Sequence, residues 1–260
     1  MNAGKILKNN LYADILKKKN AGKQSIAVLI DPDKTSGEDW KEIARLASRH
    51  KVDYLFVGGS RLSKEKLSEC IKILKGQKEI PVVIFPGNED HIDPNADALL
   101  LLSVISGRNP EMLIGKHVSA ALNLLESGLE IIPTGYLLID GGTSSSVANM
   151  SQTMPLSSSD LDTIVATALA GALLGMKLIY LEAGSGAAFP VHPSIISAVK
   201  KYLRIPLIIG GGINNPEKFQ EAITAGADLI VIGNILEKEP FLLENFCEVL
   251  ARKNEWKNFA

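Results

Sequence analysis

Two glycine-rich turns near the end of the chain carry the strongest chemical signal in the sequence. Gly210, Gly211 and Gly212 follow an apolar run at residues 207–209, and Gly233-Asn234 follows a second run at residues 229–232. Glycine lets backbone N–H groups approach an anion closely, and the amino end of a following helix adds positive potential. The pair therefore predicts a phosphate cradle, with glycines that only make tight turns as the alternative.

Asp31 follows the apolar run at residues 25–30 and could hold a metal ion. Mg²⁺ takes oxygen ligands and is usually held by one or two protein groups together with substrate phosphates. Asp31 could thus anchor a metal–diphosphate complex, although Asp31 and Asp33 could equally cap a turn or the next helix. Ser60, after the run at residues 54–57, could add a second oxygen ligand, but by itself it is typical of a helix N-cap.

Glu182 ends another apolar run and is a candidate general base. Side chains alternate along a strand, so Tyr180 and Glu182 share one face while Leu181 takes the other. A carboxylate at the end of a strand could accept a proton from a substrate hydroxyl. The alternative is a structural charge held by a partner. Gly184 and Gly186 would let the next loop close over a ligand.

Other chemistries find little support. The four histidines lack metal-ligand spacing such as H-E-x-x-H, and no G-x-S-x-G motif accompanies the serines. A net charge of −1 supplies no field for generic nucleic-acid binding, so a small-molecule substrate is expected.

Eight short apolar runs must position these residues. Continuous rather than alternating apolar character is expected of parallel strands covered by helices. The predicted strands are residues 25–30, 54–57, 82–85, 99–102, 137–139, 178–181, 207–209 and 229–232. The predicted helices are residues 37–49, 64–75, 112–126, 160–174, 193–202, 216–225 and 241–251.

This alternation predicts an α/β fold, a single (β/α)8 TIM-type barrel. An open doubly wound sheet would carry its phosphate fingerprint after the first strand, whereas these glycines follow the last two. We expect one catalytic domain, residues 1–260, with an N-terminal helical segment at residues 1–24. The third β/α unit should be modified, since residues 86–97 lack helical periodicity. Residues 141–159 should form a mobile loop over the active-site face, with a plain solvated connection as the alternative.

The amino terminus has no apolar core typical of a secretory signal, and no apolar run is long enough to span a bilayer. We therefore expect a cytoplasmic protein, whose contact with any lipid would be peripheral, at the membrane surface.

The motifs together resemble the geranylgeranylglyceryl phosphate synthase family, over nearly the whole chain. The resemblance rests on their order after successive strands, at residues 29–34, 56–60, 85–88, 180–186, 210–213 and 233–234. It implies a prenyltransferase of ether phospholipid biosynthesis that joins sn-glycerol 1-phosphate to a long prenyl diphosphate, requires Mg²⁺ and forms a homo-oligomer.

The resemblance also implies roles for single residues. Asp31 and Ser60 would bind Mg²⁺, and Glu182 would be the base, with Tyr180 beside it in the catalytic set. The residues around glycerol 1-phosphate would be Tyr180, Leu181, Glu182, Ala183, Gly184, Ser185, Gly186, Gly210, Gly211, Gly212, Gly233 and Asn234.

One departure from relatives and one further resemblance indicate the length of the donor. The heptaprenyl-using branch carries lysine two residues before the metal-binding aspartate, where this chain has Leu29. Residues 136–143 resemble the geranylgeranyl-using branch, so geranylgeranyl diphosphate is the expected donor. The alternatives are a sugar-phosphate isomerase or aldolase with the same cradle, and a phosphometabolite-binding barrel without catalysis.

Overall fold

The computed structural model describes residues 10–59, 62–76, 80–143 and 146–256, and its centre is a closed barrel of eight parallel strands. Each strand pairs with the next along the chain, and β1 pairs with β8 to close the barrel. The strands are β1 Ser25–Ile30, β2 Tyr54–Val57, β3 Val82–Ile84, β4 Ala98–Val104, β5 Glu130–Leu138, β6 Leu178–Glu182, β7 Leu207–Gly210 and β8 Leu229–Ile232. The predicted barrel is confirmed.

Helices surround this barrel within the described residues. They are α1 Leu11–Asn20, α2 Gly37–Arg49, α3 Lys64–Lys75, α4 Lys116–Ser127, α5 Ser146–Ser151, α6 Leu161–Leu173, α7 Pro193–Tyr202, α8 Pro216–Ala225, α9 Asn234–Lys238 and α10 Leu242–Trp256, with a π-helical turn at Glu111–Gly115. Local sequence explains both ends of α8. Asn215 caps α8 by accepting the Lys218 N–H, proline stands in its first turn, and Gly226 ends it at φ 112°. None of these helices is long and apolar enough to cross a bilayer.

Strand alternation divides the apolar side chains between two cores. On β6, Leu178 and Tyr180 point into the barrel, while Ile179 and Leu181 pack against the outer helices. All four are fully buried, which explains why the strand reads as a continuous apolar run.

Helix α1 closes the amino end of the barrel. Leu11 and Ile15 are buried within the inner core, and the buried Glu130 carboxylate accepts the backbone N–H groups of Leu11 and Tyr12. The carboxylate thereby satisfies N–H groups that have no partner inside the helix. Within the described residues, the barrel is thus closed at this end and opens at the carboxyl ends of the strands.

The third β/α unit departs from the repeat, as predicted. Between β3 and β4 the chain runs through residues 85–97 without a helix, and the Asp97 N–H bonds to the Val82 carbonyl at 2.8 Å. The outer face of β4 near this segment is therefore not covered by a helix of its own. Leu101, on that outer face, is only half-buried.

Strand β5 is longer than the three residues predicted for it. It begins at Glu130, and Pro133 and Gly135 lie within it, both residue types that weaken a strand pattern. Its pairing with both β4 and β6 outweighs this local preference. The predicted loop at residues 141–159 contains the short helix α5, which the sequence pattern did not predict.

Candidate functional site

A cavity of about 510 Å³ opens at the carboxyl ends of the strands. Its polar part is built from the loops after β1, β6, β7 and β8, and its apolar part extends past the segment after β3 to β4 and α4. Residues that lie far apart in the sequence meet here because parallel strands end on the same side of a barrel.

Glu182 is the buried acid at the floor of the polar part. It ends β6, is 7% exposed, and its Oε1 accepts the Gly184 N–H at 2.8 Å. Burial raises the pKa of the Glu182 carboxyl to about 7, although the Gly184 N–H and the Tyr180 hydroxyl partly offset it. A carboxyl that titrates near neutral pH can accept a proton at the working pH of an enzyme.

Tyr180 stands next to Glu182 on the same face of β6, as the alternation predicted. Its ring contacts Phe85 and Tyr136 at centroid distances of 5.5 and 5.3 Å. The hydroxyl makes no hydrogen bond of good geometry with the described residues, yet it lies close enough to Glu182 for each group to affect the pKa of the other. The hydroxyl is thus available to a ligand that reaches Glu182.

Gly211 and Gly212 form the turn after β7, and both have positive φ, 81° and 70°. A Cβ at Gly211 would lie 2.3 Å from Glu182 Oε1, and one at Gly212 would lie 2.7 Å from the Pro190 nitrogen. Other residues are excluded at both positions by conformation and by space. The turn therefore keeps its backbone exposed to the cavity beside the acid.

Asn234 begins the short helix α9 directly after Gly233. Its Nδ2 donates to the Ser185 hydroxyl at 2.9 Å, which joins the loop after β8 to the loop after β6. Ser185, Gly186, Gly233 and Asn234 all line the cavity. The two predicted glycine turns and the loop at residues 183–186 thus form one concave polar surface.

Asp31 lies across the mouth, at the end of β1. Its Oδ1 accepts the Asp33 N–H at 3.1 Å, and its Oδ2 is 3.1 Å from Lys34 Nζ. Gly59 leaves room for the carboxylate, since a Cβ there would lie 2.3 Å from Asp31 Oδ1. The described residues contain no cluster of three metal-binding side chains. One accessible carboxylate suits Mg²⁺ that takes its other ligands from substrate phosphates and water.

The apolar part of the cavity occupies the place left by the missing helix. Leu99 and Leu101 from the outer face of β4 lie across from Ala120 and Leu124 of α4. Leu102, Val104, Met112 and Tyr136 continue the apolar lining toward the barrel interior. A mainly apolar channel next to a polar end suits an amphiphilic ligand.

Polar side chains join the two walls of this channel at one point. Lys116 of α4 donates to Asn88 Oδ1 at 3.0 Å and pairs with Glu89 at 3.3 Å. The segment after β3 is thereby linked to α4 over the apolar cavity. His91 is buried and bonds to the Leu62 carbonyl and the Gly87 N–H.

The structure brings most of the predicted site residues to the cavity. Those that line it are Asp31, Tyr180, Glu182, Ser185, Gly186, Gly211, Gly212, Gly233 and Asn234. Leu181 and Ala183 pack in the outer core, so their side chains face away and only their backbone can contribute. Gly184 donates its N–H to Glu182. Gly210 leaves room for the Glu182 carboxylate, since a Cβ there would lie 2.7 Å from Glu182 Oε2. Ser60, the second predicted metal ligand, lies outside the described residues.

Several cavity residues were missed by sequence reasoning. Glu89, Lys116, His117 and Glu237 line the cavity, but no spacing marks them. The phenylalanine-proline-glycine sequence at residues 85–87 was the one available signal, because it breaks the repeat after β3. Lys34 lies in the motif that contains Asp31, although its contact with a ligand could not be assigned from the sequence.

Comparison with known proteins identifies similar chains over most of this length. The model of the PcrB family matches residues 14–251. The geranylgeranylglyceryl phosphate synthase of Chitinophaga pinensis is 46% identical over 242 residues, which cover 93% of this chain and 96% of that relative. The protein of the same name from Zunongwangia profunda is 48% identical over 228 residues, covering 87% and 97%.

A solved structure is similar to this chain over nearly its whole length. The crystal structure of (S)-3-O-geranylgeranylglyceryl phosphate synthase from Thermoplasma acidophilum, in complex with sn-glycerol 1-phosphate, is similar with a TM-score of 0.87 and 33% identity. The match covers 92% of this chain and 97% of that chain.

Proposed function

Because the chain belongs to the PcrB family, we propose that it is a geranylgeranylglyceryl phosphate synthase, a prenyltransferase that joins sn-glycerol 1-phosphate to geranylgeranyl diphosphate. The observation that carries this proposal is the form of the cavity. A polar end with a buried acid opens directly into an apolar channel between β4 and α4. Such a cavity suits one small anionic acceptor and one long apolar donor.

The acceptor belongs in the polar end. Backbone N–H groups of the turns at Gly211-Gly212 and Gly233-Asn234 would bind its phosphate, aided by the Ser185 hydroxyl. The relative solved with sn-glycerol 1-phosphate supports this assignment. With the phosphate held there, one glycerol hydroxyl is directed toward Glu182.

Glu182 would accept the proton of that hydroxyl. The oxygen forms a bond to the first carbon of the prenyl chain, the bond from that carbon to the diphosphate breaks, and the diphosphate leaves with the electron pair. By analogy with the solved (S)-3-O-geranylgeranylglyceryl phosphate synthase, the new ether would form at the third glycerol oxygen. Since the pKa of Glu182 is about 7, the residue can take up the proton and release it to water.

The donor's diphosphate would lie at Asp31, where Mg²⁺ fits as the ion that neutralises its charge. Bound there, Mg²⁺ would act as a Lewis acid that stabilises the departing diphosphate. The Asp33 N–H orients the Asp31 carboxylate, and Gly58 and Gly59 keep the adjacent wall free of side chains. Phe85 and Tyr136 form the passage from this polar end to the channel for the prenyl tail.

An activity assay tests the proposal. Incubation with MgCl2, sn-glycerol 1-phosphate and labelled geranylgeranyl diphosphate should give an organic-soluble phosphate product, and EDTA should abolish its formation. Farnesyl and heptaprenyl diphosphates serve as comparison donors. Absence of product with every donor would contradict the proposed function. The isomerase alternative has no use for the apolar channel and predicts turnover without a donor.

The homo-oligomer and the contact with a membrane surface stay predictions. The outer face of α4 and the turn before it expose Ile114, Val118 and Leu122, which are 60%, 69% and 74% exposed, and Leu125 at 80%. An apolar stripe of this kind is typical of surfaces that become covered. Light scattering and vesicle co-sedimentation would test the two predictions.

A further inference from the structure

Lys34 occupies the boundary between the two halves of the proposed active site. Its Nζ lies 3.1 Å from Asp31 Oδ2, on the donor side, and 3.3 Å from Asn234 Oδ1, on the acceptor side. A third contact, at 4.0 Å, is with the Glu237 carboxylate of α9. All four residues line the cavity.

The positive charge of Lys34 lies next to two carboxylates, those of Asp31 and Glu237. The side chains of Asp31 and Glu237 are only 16% and 15% exposed. Burial raises the pKa of the Glu237 carboxyl, Lys34 lowers it, and the nearby charge of Asp31 raises it. Lys116 also lines the cavity, but it is engaged with Asn88 and Glu89 beside the apolar channel. Lys238 lines the cavity too and favours the charged form of Glu237, but among the described residues Lys34 is the cation in ion-pair contact with both carboxylates.

The side chain is able to exchange these partners. It is 44% exposed, its flexible stem carries three rotatable N–H donors, and all of its partners line the open cavity. An ammonium group beside a carboxylate competes directly with a metal ion for that carboxylate.

We propose that Lys34 is a diphosphate-binding residue that neutralises Asp31 and Glu237 in the free protein and turns onto the donor's diphosphate when Mg²⁺ is held by Asp31. This inference rests on the proposed function, because it assumes that the donor's diphosphate lies at Asp31. Departure of the diphosphate adds negative charge to its oxygens, and an ammonium already in place stabilises that charge without reorganisation.

Two binding measurements with opposite expected signs test the inference. Mn²⁺ alone probes the Asp31 site through the loss of its free paramagnetic resonance signal. Pyrophosphate with MgCl2, followed by equilibrium dialysis, probes the diphosphate site. In Lys34→Met, Mn²⁺ alone should bind about fivefold tighter because its competitor is gone. Mg²⁺–pyrophosphate should bind at least about tenfold more weakly because a charged donor is lost.

Two matched variants serve as controls. Lys66→Met removes another exposed lysine that pairs with an aspartate of the same loop, Asp33 at 3.4 Å, but that does not line the cavity. It should bind both probes as the unmodified protein does. Lys34→Arg keeps the charge and should retain most of the Mg²⁺–pyrophosphate affinity. Circular dichroism and thermal unfolding confirm that each variant folds.

The remaining outcomes overturn the inference in distinguishable ways. Unchanged pyrophosphate binding in Lys34→Met would show that Lys34 does not contact the diphosphate, and the proposed function would stand. Weaker binding of both Mn²⁺ and Mg²⁺–pyrophosphate would show that Lys34 stabilises the conformation of the loop after β1 and does not bind the diphosphate. Weaker binding of sn-glycerol 1-phosphate instead would assign Lys34 to the acceptor. Lack of pyrophosphate binding by the unmodified protein would contradict the proposed donor site as well.

Discussion

The two ends of the cavity are built in different ways. The polar end uses the regular barrel repeat, in which glycine turns after β7 and β8 and an acid at the end of β6 meet at the mouth. The apolar end exists because the repeat is broken, since no helix lies between β3 and β4 in the described residues. The regular geometry of the barrel thus positions the groups that carry the chemistry. A local departure from this geometry provides the space for a long substrate.

The largest expected effect comes from removing the acid at the polar end. Glu182→Gln keeps the shape but cannot accept a proton, so kcat should fall by about 10²–10⁴. Binding of sn-glycerol 1-phosphate, measured by calorimetry, should change little. A variant with near-normal kcat would exclude Glu182 as the base.

The same substitution should stabilise the fold at high pH. Burial raises the Glu182 pKa from 4.5 to about 7, so the folded state keeps its proton where the unfolded state has lost it. The resulting stability is fully present below pH 4.5 and is lost as the pH rises through 7, by about 3 kcal/mol. Glu182→Gln avoids this loss, and urea unfolding at pH 5 and pH 8 should show a gain only at pH 8.

A glycine at the polar end should matter more than an equally strained glycine elsewhere. Gly212 and Gly175 both have positive φ, but a Cβ would meet backbone atoms at 2.7–2.8 Å only at Gly212 and nothing within 4 Å at Gly175. Gly212→Ala should raise the KM for sn-glycerol 1-phosphate about tenfold or more. Gly175→Ala should lower stability without changing that KM. If Gly212→Ala and Gly175→Ala changed the KM for sn-glycerol 1-phosphate equally, the turn at Gly212 would have no special role in phosphate binding.

Filling the apolar end should discriminate between donors. Leu101→Trp places a larger side chain in the channel and should raise the KM for geranylgeranyl diphosphate about tenfold while affecting geranyl diphosphate less. Leu122→Trp on the exposed face of α4 is the matched control and should leave both values unchanged. If the two variants behave alike, the prenyl chain lies elsewhere.

The smallest expected effect is a shift in the pH dependence of kcat/KM for the acceptor. The value of kcat/KM for the acceptor should rise with pH through an apparent pKa near 7 as Glu182 loses its proton. Tyr180 lowers the pKa of Glu182, so Tyr180→Phe should move this rise to higher pH. A rise that stays in place in Tyr180→Phe would assign it to another group, such as the substrate phosphate.

How far the sequence predicted the molecule differs between the two ends. The polar end could be predicted because strand ends converge by topology, so Asp31, Glu182 and Asn234 were placed together from their positions after apolar runs. Leu181 could have been excluded from the predicted binding residues, because strand alternation places its side chain on the opposite face from Tyr180 and Glu182. The absence of a helix after β3 was also visible, from the prolines and carboxylates at residues 86–97.

The apolar channel could not be predicted from the sequence. Helix α4 is apolar on both sides: Ala120 and Leu124 are buried, and Val118 and Leu122 are exposed. Periodicity therefore could not show which side lines a cavity. The roles of Lys116 and Glu237 depend on distances across the fold, and short-range patterns carry no such information.

The central claim, one cavity with an acceptor end and a donor end, is tested most directly by a crystal structure with both ligands. The ligands would be sn-glycerol 1-phosphate and the unreactive thiolo analogue of geranylgeranyl diphosphate with MgCl2. The phosphate should lie at the turns of Gly211, Gly212, Gly233 and Asn234, and the prenyl chain between β4 and α4, with its diphosphate at Asp31. A prenyl chain bound outside this channel, or a phosphate away from the two turns, would contradict the account.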